Sequence, residues 1–113
     1  MGTDQRIYEG SHYLGRQINN APVYSASKAG VVGLTRYLAT LWGTTGVRVN
    51  ALAPGGVTSG QNDEFVKKYS ARTPMDRMAK AHEIASSMLF LASDASSYIT
   101  GQVLSVDGGL SAW

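Results

Sequence analysis

The chain has 113 residues, a formal net charge of +2 and no cysteine, with 43% hydrophobic and 16% charged residues. This ordinary globular composition excludes bulk disorder, and the lack of cysteine excludes a disulfide framework and thiolate chemistry. The small charge gives no reason to expect a nucleic-acid partner, and no apolar run reaches the roughly 18 residues of a membrane span.

The first predicted elements are a loop, a helix and a strand. Residues 1–22 are polar and contain turn formers, which predicts a loop with at most one short ordered piece. Apolar residues at helical spacing then predict a helix over residues 23–42 that stops at Gly43. Residues 47–53 alternate and carry β-branched side chains, which predicts a strand.

The second half of the chain repeats this order after a polar stretch. Residues 62–69 are predicted to form a short helix, residues 81–93 a longer one with an apolar stripe, and residues 103–106 a strand. Strands that alternate with helices favour parallel βαβ units. Two such strands do not make a complete sheet, and no strand precedes the first helix. We therefore expect residues 1–113 to be the back half of one larger α/β domain.

A tyrosine and a lysine lie four residues apart in the first predicted helix. Tyr24 and Lys28 share one helical face, and a cationic ammonium beside a phenol favours the phenolate form. Such a tyrosine can exchange a proton with a carbonyl or alcohol oxygen near neutral pH. Tyr–Lys pairs at this spacing also arise by chance, so the pair taken alone favours an ordinary exposed surface pair.

Turn residues follow both predicted strands. Pro54, Gly55, Gly56 and Val57 come after the first strand, at the sheet edge where open α/β sheets bind ligands. Glycines there would let the backbone pass close to a ligand, although a plain strand-to-loop turn uses the same residues. After the second strand, residues 107–109 form a turn that by itself indicates no chemistry.

In this order and at these separations, the motifs resemble the C-terminal half of a short-chain dehydrogenase/reductase. Four phrases carry the resemblance: YSASKAG at residues 24–30, VRVNALAPG at 47–55, FLASD at 90–94, and TGQ followed by VDGG within 100–109. The chain is similar to 3-oxoacyl-carrier-protein reductases and to sugar-modifying relatives. The resemblance implies an α/β fold, the incomplete C-terminal portion of a Rossmann-type doubly wound parallel sheet with three αβα layers.

The resemblance also implies roles for individual residues. Tyr24 matches the general acid/base of the family, and Lys28 matches the lysine that holds the nicotinamide ribose. Four further residues, which we call the 54–57 segment, match the stretch that lies along the nicotinamide of NAD or NADP: Pro54, Gly55, Gly56 and Val57. Where the family usually has a threonine, five residues after the proline, this chain has Ser59, with Thr58 before it.

Other features of the family are absent from the sequence. The glycine-rich turn that holds the cofactor pyrophosphate is missing, and so is the residue that selects NAD or NADP. The family serine commonly lies about a dozen residues before the tyrosine, as Ser11 does here, but Ser11 does not end an apolar strand. We therefore expect the catalytic serine upstream of Met1, with Ser11 as the alternative.

Two functions are consistent with these observations. The first is an NAD(P)-dependent oxidoreductase that moves a hydride between nicotinamide and the carbonyl or secondary alcohol of a small molecule, with this chain as an inactive fragment. The alternative is a non-catalytic half-domain that acts only in association with another subunit. The resemblance implies a homo-oligomer, a dimer or tetramer. No metal, nucleic acid or membrane partner is expected, and without an apolar leader the expected location is the cytoplasm.

Overall fold

The computed structural model describes residues 4–17 and 19–112, apart from the side chain of Tyr13. Its first part contains two ordered pieces where the sequence predicted at most one. A 3-10 helix covers Gln5–Tyr8, and a small antiparallel hairpin pairs β1 (His12–Tyr13) with β2 (Arg16–Gln17). The hairpin loop is Leu14 and Gly15, both at positive φ, as tight two-residue turns require. Leucine is uncommon at such a position, and for this reason the turn was missed.

The long helix α1 covers Pro22–Trp42 and confirms the predicted helix, which begins one residue earlier than expected. Pro22 lies in the first turn, where a missing N–H costs no helical hydrogen bond. After Trp42 the chain tightens into a 3-10 turn, Gly43–Thr45, and leaves it through Gly46 at φ 81°. Glycine adopts this left-handed conformation without a Cβ penalty, so it ends the helix.

The central sheet is a parallel pair of strands, β3 (Ala51–Pro54) and β4 (Val103–Val106). Their register places Ala51 opposite Val103 and Pro54 opposite Val106. The β4 bounds agree with the prediction, whereas β3 begins four residues later than predicted. Before β3, Val49 bonds to both a side chain and the backbone: its N–H donates to Thr100 Oγ1 at 3.0 Å, and its carbonyl accepts the Gly101 N–H at 2.7 Å.

Arg48 joins the start of β3 to the rest of the chain. Its guanidinium donates to the carbonyl oxygens of Leu91, Ser93 and Ile99 at 2.9, 3.1 and 3.2 Å. Guanidinium presents several donors in a rigid fork, so one side chain satisfies carbonyls from the end of one helix and from the loop before β4. These hydrogen bonds hold the chain before β3 against the end of α3 and the loop before β4.

Two helices connect β3 to β4. The short helix α2 covers Asp63–Ser70, and Asn62 caps it by accepting the Phe65 N–H at 2.8 Å. The second helix, α3, covers Ala81–Ala92 and ends one residue before its predicted end, with a 3-10 turn at Asp94–Ser96 after it. This order of strand, helices and parallel strand confirms a partial α/β fold.

Little apolar surface is buried by the chain itself. The accessible surface is 8040 Å², whereas a compact monomer of this length exposes about 6,000 Å². Only three hydrophobic residues among those described are buried: Ile7, Ala39 and Met78. Five large side chains lie exposed along one side of α1, which we call the outer face of α1: Val23, Val31, Leu34, Tyr37 and Leu41. This exposure agrees with the expectation of an incomplete sheet.

Candidate functional site

The first turns of α1 bring Tyr24 and Lys28 together. The Lys28 Nζ atom lies 5.5 Å from the centroid of the Tyr24 ring, within the range of a cation–π interaction. Both side chains are exposed, Tyr24 by 52%. Tyr24 and Lys28 are four positions apart on one helix, so the geometry follows from the helix alone. The arrangement can therefore present a phenol with a neighbouring cation to a ligand.

The 54–57 segment continues from the carboxyl end of β3. Gly55 N–H donates to Val106 O at 3.0 Å, which extends the strand pairing by one bond. On its other side, Val57 forms an isolated parallel bridge with Ala79, in which Ala79 N–H donates to Gly56 O at 2.8 Å. The segment is thus held between β4 and the chain that leads into α3, at the edge where α/β sheets bind ligands.

Packing explains both glycines of this segment. A Cβ atom on Gly55 would lie 2.9 Å from the Cα of Asp107, and one on Gly56 would lie 2.7 Å from the Cζ of Tyr69. At contacts this short a neighbouring group must move, so a side chain at either position would be overpacked. These contacts concern the Cβ side of each glycine, and the expected approach of a ligand to the backbone stays a prediction.

One backbone donor of the segment is open. In the bridge to Ala79, the bonding groups belong to the residues on either side of Val57, so the Val57 N–H points away from Ala79. Within residues 4–17 and 19–112 nothing accepts that N–H, and Val57 O accepts from Gln61 Nε2 at 2.8 Å. The open N–H fits an amide oxygen, such as that of a nicotinamide carboxamide.

Gln61 fixes the turn that follows. Its Oε1 accepts the Ser59 N–H at 2.8 Å, and its Nε2 donates to Ser59 Oγ at 3.0 Å as well as to Val57 O. Thr58 Oγ1 donates to Ala79 O at 3.2 Å. Of the two hydroxyls near the expected threonine position, that of Thr58 is therefore bonded towards Ala79 and that of Ser59 towards Gln61.

A small cavity of about 80 Å³ lies at the carboxyl ends of β3 and β4. It is lined by Gly55, Gly56 and Val106, and by charged groups from the neighbouring loops. This volume holds a few water molecules and is too small for a substrate. The protein is therefore closely packed on the side of the 54–57 segment that faces this cavity.

The charged groups that line this cavity have hydrogen-bond partners within the protein. Hydrogen bonds from the Ser111 hydroxyl, and from the backbone N–H groups of Gly109 and Ser111, hold the pKa of Asp107 below its usual value. Arg77 donates to both oxygens of Glu83 at 2.8 and 2.7 Å, and this pairing lowers the pKa of Glu83 to about 2. Both carboxylates therefore stabilise the local structure and are poor candidates for proton transfer.

The predicted site residues form two groups. In the described part of the chain, no hydrogen bond, ion pair or ring contact joins Tyr24 or Lys28 to the 54–57 segment. Ser11 is buried after the first 3-10 helix, where its N–H donates to Tyr8 O at 2.9 Å, and it is not at the end of an apolar strand.

Sequence reasoning missed Tyr69, Gln61 and Asp107. Tyr69 is one of two aromatic residues in the mostly polar stretch of α2, and this was the signal available for it. Across residues 4–17 and 19–112 no three His, Asp or Glu side chains cluster as a metal site would need. In the same part of the chain, no helix has both the length and the apolar character needed to cross a membrane.

Comparisons of sequence give one family. The profile of the Enoyl-(Acyl carrier protein) reductase family matches residues 7–111. The 3-oxoacyl-(acyl-carrier-protein) reductase of Chlamydia trachomatis is 46% identical over 91 residues, which are 77% of this chain and 37% of that protein. The galactitol 2-dehydrogenase (L-tagatose-forming) of Cereibacter sphaeroides is 48% identical over 99 residues, 82% of this chain and 39% of that protein.

Comparison with solved structures indicates the same family as comparison of sequences. A short chain dehydrogenase of Leptospira borgpetersenii with bound NAD+ has a TM-score of 0.83 and 37% identity, and the match covers 96% of this chain and 39% of that one. A gluconate 5-dehydrogenase of Burkholderia cenocepacia in complex with NADP and tartrate has a TM-score of 0.78 and 32% identity, covering 85% and 40%. The chain spans about two-fifths of the length of these relatives. Sequence and fold confirm the resemblance, and the chain belongs to the short-chain dehydrogenase/reductase family.

Proposed function

We propose that this chain is the catalytic C-terminal part of an NAD(P)-dependent oxidoreductase that acts on a carbonyl or secondary alcohol group. The observation that carries the proposal is the pairing of Lys28 Nζ with the Tyr24 ring at 5.5 Å in a chain of this family. The open N–H of Val57, at the carboxyl edge of the sheet, supports it from the cofactor side. NADH or NADPH, when bound, would supply the hydride.

In the proposed reduction, Tyr24 acts as the general acid. Its hydroxyl donates a proton to the carbonyl oxygen while the carbonyl carbon accepts the hydride, and the phenolate then regains a proton from solvent. Lys28 stabilises the phenolate by its charge and would hold the ribose hydroxyls through its ammonium donors. The 54–57 segment would bind the nicotinamide amide through Val57 N–H and press the ring towards the substrate. Alcohol oxidation reverses these steps, with the phenolate as base.

The relatives support the cofactor and substrate class. Solved family members contain NAD+ in one case and NADP in another, and named relatives act on 3-oxoacyl groups, galactitol and gluconate. NAD or NADP, with a small carbonyl or alcohol substrate, is therefore proposed here. We place residues 1–113 within one Rossmann domain whose dinucleotide-binding half lies outside this chain. A homo-oligomer and a cytoplasmic location belong to the same proposal.

The alternative is a half-domain without catalytic activity that works only when another subunit covers it. The outer face of α1 favours this alternative, because its five apolar side chains are 48% to 73% exposed. An exposed apolar patch of this kind usually marks a place where another protein segment or subunit binds. Either the missing strands of the same domain or a separate subunit would provide that cover.

A chimeric enzyme tests the proposal. In it, this chain replaces the segment that it matches in the galactitol 2-dehydrogenase of Cereibacter sphaeroides, so that the rest of the domain is supplied. We expect oxidation of NADH or NADPH with at least one member of a panel of keto sugars and 3-oxoacyl thioesters, followed by the absorbance of reduced nicotinamide. A chimera that melts cooperatively and binds NADH but reduces no member of the panel would favour the non-catalytic alternative.

A further inference from the structure

We propose that Tyr69 is a positioning residue that holds the Gly56 peptide and so couples helix α2 to the nicotinamide-binding segment. This inference rests on the proposed function for its consequence in catalysis, but the contact itself does not. Tyr69 lies between β3 and α3, outside the four phrases that carry the family resemblance.

The contact between Tyr69 and Gly56 has two parts. Gly56 N–H donates to Tyr69 Oη, and the ring lies directly over the glycine, since a Cβ there would be 2.7 Å from Cζ and 2.9 Å from Cε1. Glycine has the most backbone freedom of all residues, so the bonds on this pair matter for its orientation. Gly55 N–H and Gly56 O bond to Val106 and Ala79, and Tyr69 holds the Gly56 N–H between them. The hydroxyl fixes one peptide plane, and the ring limits the movement of the next.

That next peptide carries the open N–H of Val57. Three contacts set its orientation. Ala79 N–H donates to Gly56 O of the same peptide at 2.8 Å, Tyr69 Oη accepts the Gly56 N–H, and Gln61 Nε2 donates to Val57 O at 2.8 Å. A donor aimed in advance binds its acceptor more tightly, because less conformational entropy is lost on binding. Loss of the Tyr69 hydroxyl is therefore expected to weaken cofactor binding before it affects the chemical step.

Helix α2 is itself held in place, which gives the contact a rigid support. The rings of Tyr69 and Phe65 stack with centroids 6.0 Å apart, and Tyr8 contacts Phe65 with centroids 5.9 Å apart. Arg72, just beyond α2, forms an ion pair with Asp4 at 2.5 Å. The segment that begins the described chain thus holds α2, and α2 holds the cofactor segment.

The test is Tyr69→Phe in the chimeric enzyme, with Tyr98→Phe as the matched control because Tyr98 is fully exposed. Three quantities are measured: hydrogen exchange of the Gly56 amide, the Kd for NADH from its fluorescence, and the melting temperature. We expect faster exchange at Gly56 and a roughly fivefold higher Kd, as for loss of one hydrogen bond. The value of kcat at saturating cofactor should change by less than about twofold, because the reacting groups stay in place.

Unchanged Gly56 exchange and an unchanged Kd in Tyr69→Phe would overturn the proposal. So would a parallel fall in kcat, affinity and melting temperature, since that pattern indicates general damage to the fold. The Gly56 exchange is measured without cofactor. A chimera that lacks dehydrogenase activity would therefore contradict the proposed function and would still decide whether Tyr69 holds Gly56.

Discussion

The carboxyl edge of the β3–β4 pair and the outer face of α1 differ in how far the chain completes them. At the edge, polar groups find partners inside the chain: Gly56 bonds to Tyr69, and Asp107 accepts from Ser111 and Gly109. On α1, large apolar side chains and the Tyr24–Lys28 pair face outward. The proposed cofactor side of the site is thus held by contacts within the chain. On the proposed proton-transfer side, Tyr24 and Lys28 stay exposed.

The largest effect is expected when the chain is studied alone. Without cover for α1 it should be weakly stable or aggregate, and without a glycine-rich turn it should not bind NADH or NADPH tightly. Light scattering, thermal melting and a cofactor fluorescence titration measure this, with the chimeric enzyme as the positive control. A cooperative melt whose midpoint rises with micromolar cofactor would show that the comparison between the two regions is wrong.

A second large effect is expected from Tyr24→Phe in the chimeric enzyme. The substitution removes the hydroxyl proposed to exchange the proton and keeps the ring, so kcat should fall at least about 100-fold. Cofactor affinity should change little, because the 54–57 segment is untouched. The control is Tyr98→Phe, and steady-state kinetics provide the measurement. Turnover within a factor of a few of the parent enzyme would remove Tyr24 from the mechanism.

The sequence predicted the elements whose signals are local. Helix α1 has a helical apolar period and β4 is bounded by turn residues, and both were located to within one residue. The start of β3 was predicted too early because Val49 bonds to the Thr100 side chain, and nothing in residues 47–50 indicates a partner 51 residues away. Long-range partners of this kind are invisible to a local pattern.

The same reason explains what was predicted of the candidate site. Tyr24 and Lys28 are neighbours through the helix, so spacing alone brought them together. Tyr69 was missed because its partner, Gly56, is 13 residues away across a polar stretch. Nothing in the glycine motif indicates that the Cβ side of Gly56 is filled by Tyr69 of α2. The approach of a cofactor to this segment stays a prediction.

A smaller effect is expected from Gly56→Ala, which tests how tightly the cofactor side is packed. The new Cβ would lie 2.7 Å from the Tyr69 ring, so either the ring or the backbone must move. Overpacking of this kind costs about 1–3 kcal/mol. Gly43→Ala is the control, since nothing lies within 4 Å of a Cβ at Gly43. Urea unfolding of the chimeric enzyme measures both, and equal stability of the two variants would contradict the close packing.

The smallest effect concerns the ion pair of Arg77 and Glu83 at the start of α3. The pKa of Glu83 is lowered to about 2 from 4.5, mainly by hydrogen bonds from Arg77. A carboxylate with a depressed pKa in the folded state adds stability above its ordinary pKa and loses it as the pH falls from about 4.5 towards 2. The melting temperatures of the chimera and its Glu83→Gln variant should therefore differ most near neutral pH and converge on acidification. A gap that stays constant with pH would contradict the pairing.

The pairing of β3 with β4 also has a consequence for how the protein is made. Gln102 N–H meets Asn50 Oδ1 across 52 residues of chain. A ribosome adds about 5–20 residues per second, so the edge of β3 waits several seconds for its partner to be synthesised. Helix α1 needs only local contacts and forms in about a microsecond. During that interval the nascent chain presents a formed apolar helix beside an unpaired strand, which is the combination that chaperones bind.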